Sequence, residues 1–261
     1  MKALWRVVGS VATVAAMVIS TAAMVAIFAD ADLPSSREYE PIPFSGSSLK
    51  VVTNSPFVTV DVVSGEAGRI FVERRMTWSS RDQPKFTQNW DPLTSTLDLG
   101  AECPEPTTVV EQHNPRCTVD YQISVPVETD LVAETGRGEL SVSGLYGNLR
   151  LTSLSGNVRI SGIVGGVWAR SGSGSITAEG MRADRADVET GAGDLDLTFH
   201  QPPDDIRAVV RTEGEVRVRV PASTYNVTAL GRKTFVNVTH ASHSSRRIFA
   251  EAPAGRVELC C

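Results

Sequence analysis

The chain has 261 residues, 41% of them hydrophobic and 21% charged, an ordinary globular balance that excludes disorder as the default and leaves room for one large domain or two small ones. A formal net charge of -5, a pI near 5.5 and the lack of any long basic run argue against nucleic acid as the main partner, because phosphate binding relies on a basic surface. Aromatics make up only 6% while Gly, Ser, Thr and Val are plentiful, a mixture that favours short strands and tight turns over helices.

The first element in chain order is an uncharged run. Between Arg6 and Asp30 Val, Ala, Met, Ile and Phe dominate. At about 1.5 Å per residue a helix over 7–29 reaches about 34 Å, against a hydrocarbon core of about 30 Å, which predicts one transmembrane signal-anchor. Lys2 and Arg6 precede it and Asp30 and Asp32 follow it. The positive-inside bias then puts a stub, 1–6, in the cytoplasm and everything after Asp30 outside the cytoplasmic membrane. The alternative is a cleaved signal peptide, with Ala29-Asp30-Ala31 as a small-x-small site and the protein secreted after cleavage near Ala31. Both readings export the remainder. Residues 30–48, with Pro34, Pro41, Pro43 and Ser45-Gly-Ser-Ser, read as a Pro/Ser linker.

From 49 onward the chain reads as all-β. Over 49–130 the expected rungs are irregular. Leu49-Lys-Val-Val-Thr and Phe57-Val-Thr-Val-Asp-Val make a strand, turn and strand, Ile70-Phe-Val continues it, and Cys117-Thr-Val-Asp-Tyr-Gln-Ile-Ser-Val alternates strictly. Ser79 to Gln112, rich in proline, reads as loop with one strand at Leu97 to Ala101. From Leu131 to 259 the sequence repeats itself. Leu131-Val-Ala-Glu-Thr-Gly-Arg-Gly-Glu-Leu-Ser-Val-Ser-Gly aligns with the segments starting at Leu149 and Val167, and Gly138, Gly156 and Gly174 fall 18 residues apart. The register drifts through Gly193 and Gly214, breaks near Gly231 and returns at Gly255.

Each unit holds two alternating strands. The inward positions are aliphatic throughout, for example Leu149/Leu151 then Val158/Ile160, and, late in the chain, Val227/Ala229 then Val236/Val238. One unit cannot bury its apolar face alone, and stacking makes a continuous core. The expectation is a single elongated β-solenoid, or β-helix, of about 18-residue coils over 49–261. An antiparallel β-sandwich competes, but it gives no reason for identical units at constant period.

The segments Thr-Gly-Arg-Gly-Glu-Leu-Ser-Val at Thr135, Ser-Leu-Ser-Gly-Asn-Val-Arg-Ile at Ser153 and Ser-Gly-Ser-Gly-Ser-Ile-Thr-Ala at Ser171, with the lead-in Cys117-Thr-Val-Asp-Tyr-Gln-Ile-Ser-Val-Pro, resemble the bacterial putative-adhesin family of unknown function, DUF4097. The resemblance covers roughly Leu49 to Leu259. It implies an exported β-helical protein exposed in the cell envelope, and it brings no catalytic residues.

Candidate chemistry is sparse. Cys103 and Cys117 enclose a short loop on the oxidising side of the membrane and are expected to form a disulfide, the alternative being two unpaired thiols. Cys260 and Cys261 leave a vicinal disulfide, an intermolecular bridge or free thiols open. His240 and His243 read as loop residues, since His113 and His200 are distant in sequence and zinc needs three or four converging ligands. No cofactor or metal is expected. Asp194 and Asp196 superficially fit a calcium β-roll, but Arg159 and Thr177 stand at the matching position of neighbouring units.

An outward ladder Ser141, Arg159, Thr177, Asp196, Arg217, Asn237, Glu258 is predicted, with Asp196 and Arg217 as a solvated pair. Trp168, Arg159, Asp196 and Arg217 are the candidate surface contacts. The expected function is a non-catalytic envelope protein presenting a rigid face to an unknown envelope protein or glycan. The alternatives are a carbohydrate-active enzyme using Asp187, Asp194, Asp196, Arg217 and Arg219, or an accessory subunit of a membrane sensor complex.

Overall fold

The computed structural model describes residues 34–79, 82–104 and 117–260, nearly all within one compact unit, Ser36–Cys261. The span expected at 7–29 lies outside the described residues. Among them no helix is long and apolar enough to cross a membrane.

The described chain is all-β. Its core elements are β8 (Asp130–Thr135), β9 (Leu140–Ser143), β10 (Leu149–Ser153), β11 (Val158–Ser161), β12 (Val167–Ser173), β13 (Ile176–Met181), β14 (Arg185–Ala192), β15 (Leu195–Phe199), β16 (Asp205–Val210) and β17 (Val216–Arg219). First strands pair in parallel with first strands one repeat away, Leu149 lying opposite both Leu131 and Val167. Second strands do the same, Val158 opposite Leu140 and Ile176. This is the solenoid-like arrangement that the 18-residue period implies, and the inward residues of these strands are almost completely buried. Two inward features extend the aliphatic pattern. Thr135, Ser153, Ser171 and Thr190 continue the alternation at the end of each first strand, and Leu145, Ile163 and Ala183 fill the corner after the second. Three of the four buried hydroxyls bond turn backbone, Ser153 Oγ accepting from Gly156 N at 2.9 Å, Ser171 Oγ donating to Gly156 O at 3.4 Å and Thr190 Oγ1 donating to Gly174 O at 2.9 Å, while Thr135 Oγ1 has no partner among the described residues.

The glycine period has a packing cause. A Cβ on Gly156 would collide with the carbonyl oxygen of Gly138, one on Gly174 would lie 2.6 Å from that of Gly156, and Gly193, Gly214 and Gly255 continue the column. Gly174, Gly193 and Gly214 have positive φ whereas Gly138, Gly156 and Gly255 do not. Close approach of stacked backbones, more than turn conformation, is therefore what the whole column has in common.

Both ends of the stack depart from chain order. β2 (Ser48–Thr53) and β3 (Val58–Gly65) form a rung against β8 and β9, and on their other side lie β6 (Thr96–Glu102) and β7 (Cys117–Pro126), which come later in sequence. At the far end β20 (Arg247–Cys260) pairs directly with β16 and β17, and β18 (Thr224–Val236) lies outside it. Gly255 stacks on Gly214, which is why the period returns there after the break at Gly231. The first and last rungs of the chain are thus each held between two others.

Several expectations are corrected here. β1 (Ser35–Pro43) lies within the segment read as a linker and pairs with β4 (Arg69–Trp78); prolines at its end are compatible with an edge strand. Ile70 to Val72 belong to β4, which runs antiparallel to β7 and is not another coil. The region read as loop with one strand holds that strand, β6, and a second, β5 (Lys85–Asp91), paired antiparallel with it. Val236 is not inward but 45% exposed, on the outermost strand, and Phe235, not Asn237, stands beside Glu258. That outer edge carries Arg232, Lys233 and a bulge between Gly231 and Lys233, devices that discourage further strand addition.

Cys103 and Cys117 are bonded, their Cα atoms 6.1 Å apart, closing the connection between β6 and β7 in an outer rung. Replacing both by Ser is expected to lower stability by about 3 kcal/mol, the value for a loop of about 15 residues. Urea unfolding with and without reductant checks this, since reductant should shift the native protein's midpoint and leave the variant's unchanged. Cys260 is a free, half-buried thiol, and Cys261 lies outside the described residues.

Candidate functional site

Period-two alternation that sends aliphatic residues inward sends their neighbours outward in two stacked columns. On the second-strand column, Arg159 pairs with Glu139, and Asp196 is clamped by Arg219 at 2.6 Å and Arg217 at 3.4 Å. Arg217 also reaches Glu258 at 3.4 Å. Each of these charges has an opposite neighbour.

The first-strand column is different. In register, Arg150 of β10, Trp168 of β12, Asp187 of β14 and Arg207 of β16 lie side by side. The Arg150 guanidinium lies 4.0 Å from the centre of the Trp168 ring system and that of Arg170 lies 4.6 Å from it. Arg170 and Arg207 hold Asp187 at 2.7 and 3.2 Å, and Arg207 and Arg211 hold Glu189 at 2.9 and 2.6 Å. Next to the indole the chain has Gly166, which leaves a notch of about 360 Å³ lined by Asn148, Trp168, Arg185, Asp187, Asp205 and Arg207 among others. Asn148 is a fixed wall: its Oδ1 accepts from Gly166 N at 3.0 Å, and its Nδ2 donates to Asp130 at 3.1 Å.

The candidate contacts therefore separate. Trp168 lies on the first-strand column, while Arg159, Asp196 and Arg217 lie on the second. The residues weighed for an enzyme separate likewise. Asp187 is on the first column, Asp196, Arg217 and Arg219 are on the second, and Asp194 faces a corner where its Oδ1 accepts from Glu215 N at 2.8 Å. His240 Nδ1 accepts from Val227 N at 3.2 Å. Sequence reasoning missed the part played by Arg150, Arg170, Arg185 and Glu189; applying the 18-residue register to the outward positions of the first strand, as was done for the second, aligns Arg150 with Trp168.

The Arg211 hydrogen bond, seconded by Arg207, holds the Glu189 carboxyl below the usual carboxylate range against the opposing effect of burial. Its folded pKa lies below its unfolded one, so the stability it contributes is present above the unfolded value, near about 4.3, and is lost as pH falls through the folded value. Glu189→Gln should flatten the acid limb of a plot of unfolding midpoint against pH between about 3 and 5. An acid limb identical to that of the native protein would rule the linkage out. At the alkaline end burial lifts the Tyr121 phenol to about 12. The unfolded chain ionises first, so stability should fall as pH rises from about 10 towards that value.

Residues 116–243 match the family described as Toastrack DUF4097. No curated protein matches the chain. Among solved structures, one called a putative adhesin, from Parabacteroides distasonis, is 11% identical over 86% of this chain and 97% of its own, with a TM-score of 0.42. One called a putative cell adhesion protein, from Clostridium sporogenes, is 12% identical over 87% and 99%, with a TM-score of 0.37. A putative adhesin from Parabacteroides merdae is 10% identical over 86% and 96%, with a TM-score of 0.34.

Proposed function

We propose, for a chain that belongs through residues 116–243 to the Toastrack DUF4097 family, a non-catalytic role in the cell envelope: a rigid stack of coils, anchored by 7–29, that presents its Trp168 column to an envelope partner. One observation carries the reading. Of the carboxylates weighed for a hydrolytic enzyme, Asp187 and Asp196 are each clamped by two arginines, as is neighbouring Glu189, and Asp194 is tied to the Glu215 backbone N–H. A general acid needs a carboxyl with a raised pKa, whereas the Arg211 hydrogen bond holds that of Glu189 low. The columns suit recognition better, because stacked parallel strands hold their outward side chains in fixed positions before any ligand arrives.

The test has two arms on the full chain in mild detergent. Retention on isolated cell envelopes that Trp168→Ala weakens is the expected result. A screen of glycan hydrolysis and elimination is expected to show no turnover, and turnover that disappears in Asp196→Ala would overturn the proposal in favour of the enzyme.

A further inference from the structure

Most arginines of the first-strand column are balanced, and two are not. Arg170, Arg207 and Arg211 share Asp187 and Glu189, and Arg247 reaches Asp205 at 3.3 Å. Arg150 and Arg185 are exposed, and no carboxylate among the described residues pairs with either. What sets these two apart from other unpaired cations of the chain is their place beside one notch. Arg185 lines it directly. Arg150 comes from the rung on the other side of Trp168 and leans over the indole. The Leu149, Val167 and Ala186 rungs are consecutive, spaced by about 4.8 Å, so the Arg150 and Arg185 Cα atoms, two rungs and two residues apart, are separated by about 12 Å with the indole and the bare Gly166 backbone between them.

A guanidinium stacked on a ring has its orientation set while its N–H edge stays free for a planar, doubly accepting anion. The acids that line the notch do not oppose such a ligand strongly, because Asp187 and Asp205 are already ion-paired. Between the cations the floor is flat and partly apolar, formed by Trp168, Gly166 and the Asn148 amide, a surface suited to a sugar ring.

We propose that the Trp168 notch binds an anionic glycan, with an acid group, carboxylate or phosphate, held between Arg150 and Arg185 and an adjoining sugar ring laid along Gly166 and the edge of the indole. This rests on the non-catalytic binding role argued above and names its ligand class. Binding weakens with salt, since both cations are exposed.

The experiment is calorimetric titration of the full chain in mild detergent with three probes: trigalacturonate, its methyl ester, and a glycerol phosphate trimer. The acidic probes are expected to bind and the ester is not; whichever acid binds more tightly identifies the carboxylate or the phosphate source. Arg150→Ala and Arg185→Ala should each weaken binding by about tenfold or more, the size of a charge-assisted contact. Arg185→Gln gives a milder change at the same position, and Arg159→Ala on the other column should leave affinity unchanged. Equal binding of trigalacturonate and its ester, or native affinity in the Arg150→Ala, Arg185→Ala double variant, would overturn the proposal. If no probe binds while envelopes are still retained through Trp168, the ligand class is wrong and the binding role stands. If both fail, both fall.

Discussion

Gly156→Ala is expected to destabilise the domain by about 3–5 kcal/mol, at the upper end of single substitutions, because the added methyl has nowhere to go. Its Cβ meets the backbone carbonyls of Gly138 and Arg137, and neither can swing aside as a flexible side chain would. Both faces of the turn are engaged. Gly156 exchanges two hydrogen bonds with Ser153 Oγ at 2.9 and 3.0 Å, and its carbonyl also lies 3.4 Å from Ser171 Oγ. Displacing the turn therefore disturbs the coils on either side. Gly68 is the control, with φ +83° but open space around it, so Gly68→Ala should cost only about 1–2 kcal/mol of conformational strain. Urea unfolding of the two variants with a common slope measures the difference, and equal losses would show that backbone crowding is not what the glycine column provides.

Deleting residues 247–261 is expected to abolish the cooperative fold of the C-terminal half. β20 buries Ile248, Ala250, Ala252, Val257 and Leu259, and the three larger side chains alone are worth about 1.5–3 kcal/mol each. The loss is of the order of 5–10 kcal/mol, comparable to the whole stability of a typical domain. β18 loses the strand that ties it to the stack, and β16 and β17 each lose one of their two partners, at once. A solenoid stacked in chain order would lose only its last coil and keep a slightly lowered transition. Limited proteolysis with circular dichroism distinguishes the two, because a protected, folded product resembling the full chain would contradict the observed stacking.

The regular coils were legible because their information is local. Alternation fixes which side chains of Leu149 to Ile160 point inward, and the spacing of Gly138, Gly156 and Gly174 fixes how far on the next equivalent strand lies. The period also extends inward to Thr135, Ser153 and Ser171, where polarity hides a continuing pattern. The ends were not legible for a different reason. Which rung lies against which is a non-local choice: β18 and β20 carry similar patterns, and nothing within either strand says that the later one contacts β17. The antiparallel pairing of β4 with β7 is equally invisible in the run Ile70-Phe-Val, which suits a strand of either direction. The notch combines four separate rungs, so Trp168 stood out in sequence only as an outward aromatic, without Arg150 and Arg185 beside it.

The interposed last rung also sets an order of events during synthesis. A growing chain presents Thr224–Val236 to the finished coils before Arg247–Cys260 exists, yet the native neighbour of β17 is the segment still to come. Early docking of β18 onto β17 would be a register trap, and the weak apolar character of its later half, where Gly231, Arg232 and Lys233 interrupt the pattern, disfavours that premature zippering. The stack closes only when Arg247–Cys260 inserts between β17 and β18, so the arrival of that one strand is itself the signal that locks this end of the fold.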